Sequence, residues 1–360
     1  MRRTKIAIGL LIALLMGLRG PDRHSALAEA AGVDAPAGAI GVVVTQINLA
    51  THDLIYDPVS NKIYASIPSS AGSSGNSIAP ISVPSGMVGT PVFVGSEPNR
   101  LAISEDSQYL YVGLDGAAAV RRFNLISQTA EIQFALGGGF CGLRLAEDMV
   151  VLKGNPNAVA VSKRNTGCSP RHEGVAIYDD GVQRPTTTSG HTGSNAIEPS
   201  DSDSVLYGFS KEGGDEFRVM SVISSGLVVT SVTEGLISGY GVDIRFDNGL
   251  IYATNGAVIN PTTQTLLGTY AARGPVHPDS PAGRVYFLDT GFSGPTRLKI
   301  FDQATFTPIA SINLPGVSGT PSSLIKVGQD LFAFRTDAGQ VFLIRLIQLD
   351  NSVYLPFISR

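Results

Sequence analysis

The chain has 360 residues, of which 16% are charged, and a formal net charge of −4, so it offers no electrostatic case for binding nucleic acid. It carries 41 Gly and 21 Pro but no Trp, a profile that argues against a helical, Lys- and Glu-rich enzyme and for short strands joined by turns. Hydrophobic residues make up 43%, enough for a large core, which excludes global disorder.

In chain order, Arg2, Arg3 and Lys5 form a basic start, and the apolar run 6–18 that follows is shorter than the about twenty residues a membrane helix needs. The pattern is that of a secretory signal peptide over residues 1–28. Ala26-Leu27-Ala28 is the cleavage site, and Ala28-Glu29-Ala30 is the competing register. An uncleaved anchor is the alternative. Residues 29–37 read as a linker, and no later stretch could span a bilayer. The expected location is therefore secreted or at the cell surface, with no membrane insertion after cleavage.

Beyond the linker a repeat begins. Residues 97–112 set the template: an apolar strand, a Glu-Asp-Ser turn, then a second strand ending in Tyr111-Val112. Copies begin near Leu54, Met149, Ala196, Val242, Val276 and Leu324. Their second strands carry Tyr64, Ala160, Tyr207, Tyr252, Tyr286 and Phe332 at the position of Tyr111. Third and fourth strands follow, joined by Asx-x-x-Ser/Thr turns such as Asn124–Ser127, Asn260–Thr263 and Asp302–Thr305. Seven such units predict an all-β fold, a seven-bladed β-propeller of four-stranded antiparallel blades. The seventh unit lacks a clear fourth strand, while the β-like stretch Ile40–Leu49 precedes the first. That N-terminal strand is expected to complete the last blade and close the ring, making one domain over 38–346 with a tail over 347–360. The tail reads either as a packed terminal strand or as a short C-terminal segment of the kind some secreted bacterial proteins carry.

The stretch Ile251-Tyr-Ala-Thr-Asn255 is close to a Tyr-Val-Thr-Asn signature. Residues 97–112 likewise resemble a Pro-x-x-hydrophobic-Ala-hydrophobic-Ser-x-Asp unit. On these residues the chain resembles the bacterial YVTN-repeat propellers, which overlap with lactonase-like and streptogramin-lyase-like propellers. The resemblance implies the fold, and it allows a hydrolase or lyase site at the channel mouth.

In a meandering blade, the connections between blades and the loops joining second to third strands emerge on one face. Ligand-binding candidates on that face are His52, Arg100, Asp115, Arg171, His172, Glu173, His191, Tyr240, Arg273, His277, Asp289 and Arg335. The four histidines among them, from different blades, could bind a divalent metal or act as acid and base. Histidine is also simply common in such loops, so no metal, cofactor or catalytic residue is assigned. Asp201–Ser204 resembles a fragment of a calcium loop but occupies the turn between first and second strands, where Asp and Ser serve turn geometry. Cys141 and Cys168 adjoin the same blade on the same face and are predicted to form a disulfide, with two buried free thiols as the alternative. The expected function is a secreted, monomeric binding or scaffold module presenting loops to a protein, glycan or small-molecule ligand. The alternative is a hydrolase or lyase at the channel mouth.

Overall fold

A computed structural model describes residues 23–28, 39–191, 193–291 and 294–349, with residues 23–28 and 39 given as backbone only. Seven antiparallel sheets follow one another around a ring, each built as a meander from the centre outward. Their innermost strands, in order from blade 1 to blade 7, are Leu54–Asp57, Pro98–Ile103, Gly142–Val151, Ala196–Pro199, Ile244–Asp247, Val276–Asp279 and Pro321–Lys326. The seven second-strand anchors all lie where the repeat placed them, each less than a tenth exposed. The short fifth unit is met by strands of only four or five residues.

Closure follows the sequence expectation. Ala39–Asn48 pairs along its whole length with Gln340–Leu349, from Ala39 opposite Leu349 to Asn48 opposite Gln340. The last strand of the ring thus runs past residue 346 to Leu349. Arg23–Ala28, within the expected signal segment, adds a further antiparallel strand outside Ala39–Asn48. The remainder of that segment, residues 29–38 and the tail from 350 onward lie outside the described residues.

The turns between third and fourth strands form as their composition requires. The Asn124 side chain accepts from the backbone N–H of Ile126 and of Ser127, both at 3.0 Å. Asn260 does the same for Thr262 and Thr263, and Asp302 for Ala304 and Thr305. The side chain thereby satisfies two N–H groups the ladder cannot reach. The residue four further on takes a left-handed conformation ahead of the outer strand (Gln128, Gln264 and Phe306). Residues around Asp201–Ser204 likewise bond within their own turn, Ser202 N–H donating to Ser200 Oγ at 3.0 Å.

Seven hydrophobic clusters hold the ring, one at each boundary between neighbouring blades. The aromatic anchors bridge these boundaries with their polar tips. Tyr111 Oη donates to Pro156 O of blade 3 at 3.0 Å, and Gln303 of blade 6 donates to Tyr252 Oη at 2.6 Å. Where blade 3 substitutes Ala160 for the aromatic, Ile177, Leu206 and Met220 fill the boundary with blade 4. Each such buried apolar side chain contributes about 1.5–3 kcal/mol.

The predicted disulfide joins Cys141, in the connection from blade 2 to blade 3, to Cys168 in the loop after the second strand of blade 3, with Cα atoms 5.2 Å apart. In the chain-entropy picture, a closed loop of this length stabilises by about 3–4 kcal/mol.

Candidate functional site

An innermost strand pairs with its own blade on one side only, so its other edge presents unpaired backbone groups to the channel. Neighbouring blades splay too far apart for their innermost strands to pair. Side chains one blade away supply the missing acceptors instead. Leu101 N–H donates to Asp53 Oδ2 at 3.1 Å, Ile197 N–H to Asp148 Oδ2 at 2.9 Å, and Phe246 N–H to Glu198 Oε2 at 3.3 Å. Ser280 N–H donates to Asp247 Oδ2 at 3.1 Å. The last blade is tied to the first by Ser323 Oγ, which donates to Asp53 Oδ1 at 2.7 Å. These carboxylates staple the inner rim of the ring.

Asp53, Asp148 and Glu198 also line a central cavity of about 740 Å³ to which all seven blades contribute residues. Its charged lining is Asp53, Arg100, Asp148, Glu198, Lys211, Asp243, Arg245 and Arg335. Two ion pairs form among them, Lys211 Nζ with Asp243 Oδ1 at 2.9 Å and Arg245 Nη1 with Glu198 Oε1 at 2.5 Å. Burial pushes the Glu198 carboxyl up to about 7, although the Arg245 guanidinium pulls against it. Burial acts on Asp243 in the same sense, but Lys211 and Arg245 outweigh it and hold that carboxyl well below the usual range. Asp148 is raised by burial, against the pull of Lys211. Arg100 and Arg335 form no ion pair within 4 Å among the described residues.

The sequence candidates divide by setting. Arg100, His277 and Arg335 line the channel together. His277 lies edge-on to Phe332, with ring centroids 6.0 Å apart, and burial and then Arg245 lower its imidazole to about 4. Several others are spent on tying loops together. Asp115 accepts from Asn99 and Arg164, Arg171 pairs with Glu212, Glu173 pairs with Arg144, and Asp289 with Lys299. His172 is buried between blades 3 and 4, neither ring nitrogen having a partner among the described residues, and burial followed by Arg218 lowers it to about 4. His52 Nδ1 meets Pro98 O at 3.0 Å, while His191 is exposed and bonds through its backbone to His172 O. His172 and His191 are thus bridge partners, while His52 and His277 belong to other blades. Among the described residues no group of three or more His, Cys, Asp or Glu is arranged to hold a metal ion. Tyr240 and Arg273 line a second, smaller cavity of about 390 Å³ near the connections leaving blades 4 and 5.

Sequence reasoning did not single out Asp148, Glu198, Lys211, Asp243 or Arg245. The signal was present for two of them: Asp148 and Asp243, like Asp53 and Arg100, each directly precede a buried apolar residue of the innermost strand, Met149, Ile244, Leu54 and Leu101.

No family model matches this chain, and no curated protein matches it. Solved structures do. The β-propeller domain of Cps50 (Swd1) from Myceliophteria thermophila is similar at 10% identity with a TM-score of 0.62, covering 83% of this chain and 98% of that one. Hydrazine synthase from Kuenenia stuttgartiensis is similar at 15% identity with a TM-score of 0.59, covering 83% and 96%. At such identities the likeness shows the fold, and the class it defines with the seven sheets is the seven-bladed β-propeller.

Proposed function

We propose that this chain is an exported propeller of the YVTN-repeat kind, a binding module that takes its ligand at the mouth of the central channel on the loop-bearing face. One observation carries the reading: charged and polar side chains from separate blades converge on one cavity of about 740 Å³, the kind of concave, pre-formed space that small ligands occupy. Export is supported by the basic and apolar start of the sequence and by the Cys141–Cys168 bond, which is at home in an oxidising compartment. Among the described residues no helix is long and apolar enough to cross a membrane. The hydrolase or lyase alternative has no specific observation in its favour: His172 and His191 are neighbours, but His52 and His277 stand on other blades.

Two measurements test the reading. Expressed from the full chain, the mature protein is expected outside the cytoplasm, beginning at Glu29 or Ala31. A membrane-bound form that keeps Met1 refutes export. Ligands found by thermal shift against a panel of glycans and small molecules should protect the innermost strands and the channel-side loops from hydrogen exchange. Protection confined to the outermost strands refutes the channel mouth as the binding site.

A further inference from the structure

We propose that the group this channel recognises is a small oxyanion, a carboxylate or a phosphate, gripped between Arg100 of blade 2 and Arg335 of blade 7 with Ser322 beside it. The inference rests on the reading of the channel as the ligand site and gives that ligand its chemistry.

The case is an inventory of donors and acceptors. Every carboxylate that lines the channel already receives at least two protein donors. Asp53 receives Leu54 N–H and Ser323 Oγ on one oxygen and Leu101 N–H on the other. Asp148 receives Met149 N–H and Ile197 N–H. Glu198 and Asp243 are each held by a cation and a backbone N–H. Donors are not used up. Among the described residues the guanidiniums of Arg100 and Arg335 make no side-chain hydrogen bond, and Arg335 Nε is buried without a partner. Ser322 Oγ is also buried without a partner, and Ser322 stands directly opposite Arg335 on the neighbouring strand. Opposed residues on paired strands project to the same side, within about 5 Å of each other.

A buried donor left without a partner is costly, so a site that gathers such donors favours a guest rich in acceptors. Each guanidinium offers donors in a rigid planar fork that suits two oxygens of one carboxylate or phosphate. Asp53 lies near enough to both arginines to attract them, but three of its about four lone pairs are committed to the staple. It tempers the charge of the pair without occupying their donors. A neutral sugar accepts hydrogen bonds but leaves the guanidinium charge unbalanced, and an amine adds to it.

Titrating the full-length protein with sodium succinate or inorganic phosphate, with ionic strength held constant by sodium chloride, tests the proposal. Saturable binding with a raised melting temperature is expected, together with no response to neutral succinamide. Response to succinate alone assigns a carboxylate source and response to phosphate alone a phosphate source, and either supports the site. Arg100→Gln and Arg335→Gln should each weaken binding by about tenfold or more, as loss of a charge-assisted pair requires. Should a variant fail to fold, modification of the unaltered protein by phenylglyoxal gives the same answer. The bound anion must then shield Arg100 and Arg335, as read by mass spectrometry. No saturable binding of either anion up to about 10 mM, undiminished affinity in a folded variant, or no shielding overturns the proposal. Neutral ligands mapped to the channel, with no anion binding, would overturn the anion chemistry while sustaining the channel as ligand site. Ligands mapped only to the outer strands would overturn both.

Discussion

At the scale of single residues, the interior holds ionisable groups in states that water would not favour, and this makes stability depend on pH. His277, in the channel, and His172, between blades 3 and 4, both have imidazoles lowered to about 4 by burial. A histidine that is neutral when folded but protonated at its ordinary value near 6.5 when unfolded stabilises the fold fully above about pH 6.5. That contribution is lost as pH falls toward 4. Glu198 works in the opposite sense: raised to about 7, it stabilises the fold at acid pH and loses that contribution as pH rises from about 4.5 to 7. Among these three groups, the two histidines outweigh the glutamate and give a net loss on acidification. Replacing His277 with Phe, next to Phe332, should make the decline between pH 6.5 and 4.5 shallower by about 1.4 kcal/mol per pH unit. Denaturant melts at half-unit pH steps check this, and an unchanged slope would show that His277 is charged or solvated in the fold. None of these environments was legible in the sequence, where His277 reads only as a loop-side histidine. Its ring stands edge-on to Phe332, which belongs to the next blade and lies far along the chain.

At the scale of elements, the closing strand is the part on which the rest depends. Ala39–Asn48 hydrogen-bonds to Gln340–Leu349 along ten paired positions and buries Val42, Val44 and Ile47 against the clusters on either side of blade 7. Deleting residues 38–50 would remove those side chains, at about 1.5–3 kcal/mol each, and bare a strand edge open to aggregation. The truncated protein should lose several kcal/mol, a large share of an ordinary domain's stability, and turn insoluble on mild warming. A soluble product with an unchanged melting temperature would show that the ring closes without this strand. This element was legible in advance because an unclaimed strand at one end and a missing strand at the other account for each other. Its neighbour Arg23–Ala28 was not, since its residues carry the pattern of a cleavage site. That pattern speaks to processing and not to pairing.

At the scale of the whole molecule, every blade leans on two neighbours and none is terminal, so no blade can detach without breaking two hydrophobic clusters. Unfolding should therefore be one cooperative event, with calorimetric and van't Hoff enthalpies in agreement. Two separated calorimetric transitions would show that the ring opens in parts. The same closure creates the channel, and it explains why the inner rim is polar: seven one-sided strand edges converge there and must find acceptors. Carboxylates of Asp53, Asp148 and Glu198 provide them, and the cations that balance those charges come with them.

The sequence by itself determined the all-β class, the seven units, the closing strand, the Asx turns and the Cys141–Cys168 pair. Each is written in local periodicity or in the topology that a meander forces. Tertiary structure alone decided which charges meet. Arg100 and Arg335 sit in blades 2 and 7, and only the curvature that joins the last blade to the first brings them to one cavity beside Asp53 of blade 1. A repeat announces that its units stack. Which side chains then face each other across the hole depends on the closed ring, because contact across a channel follows the angle between blades and leaves no period in the chain.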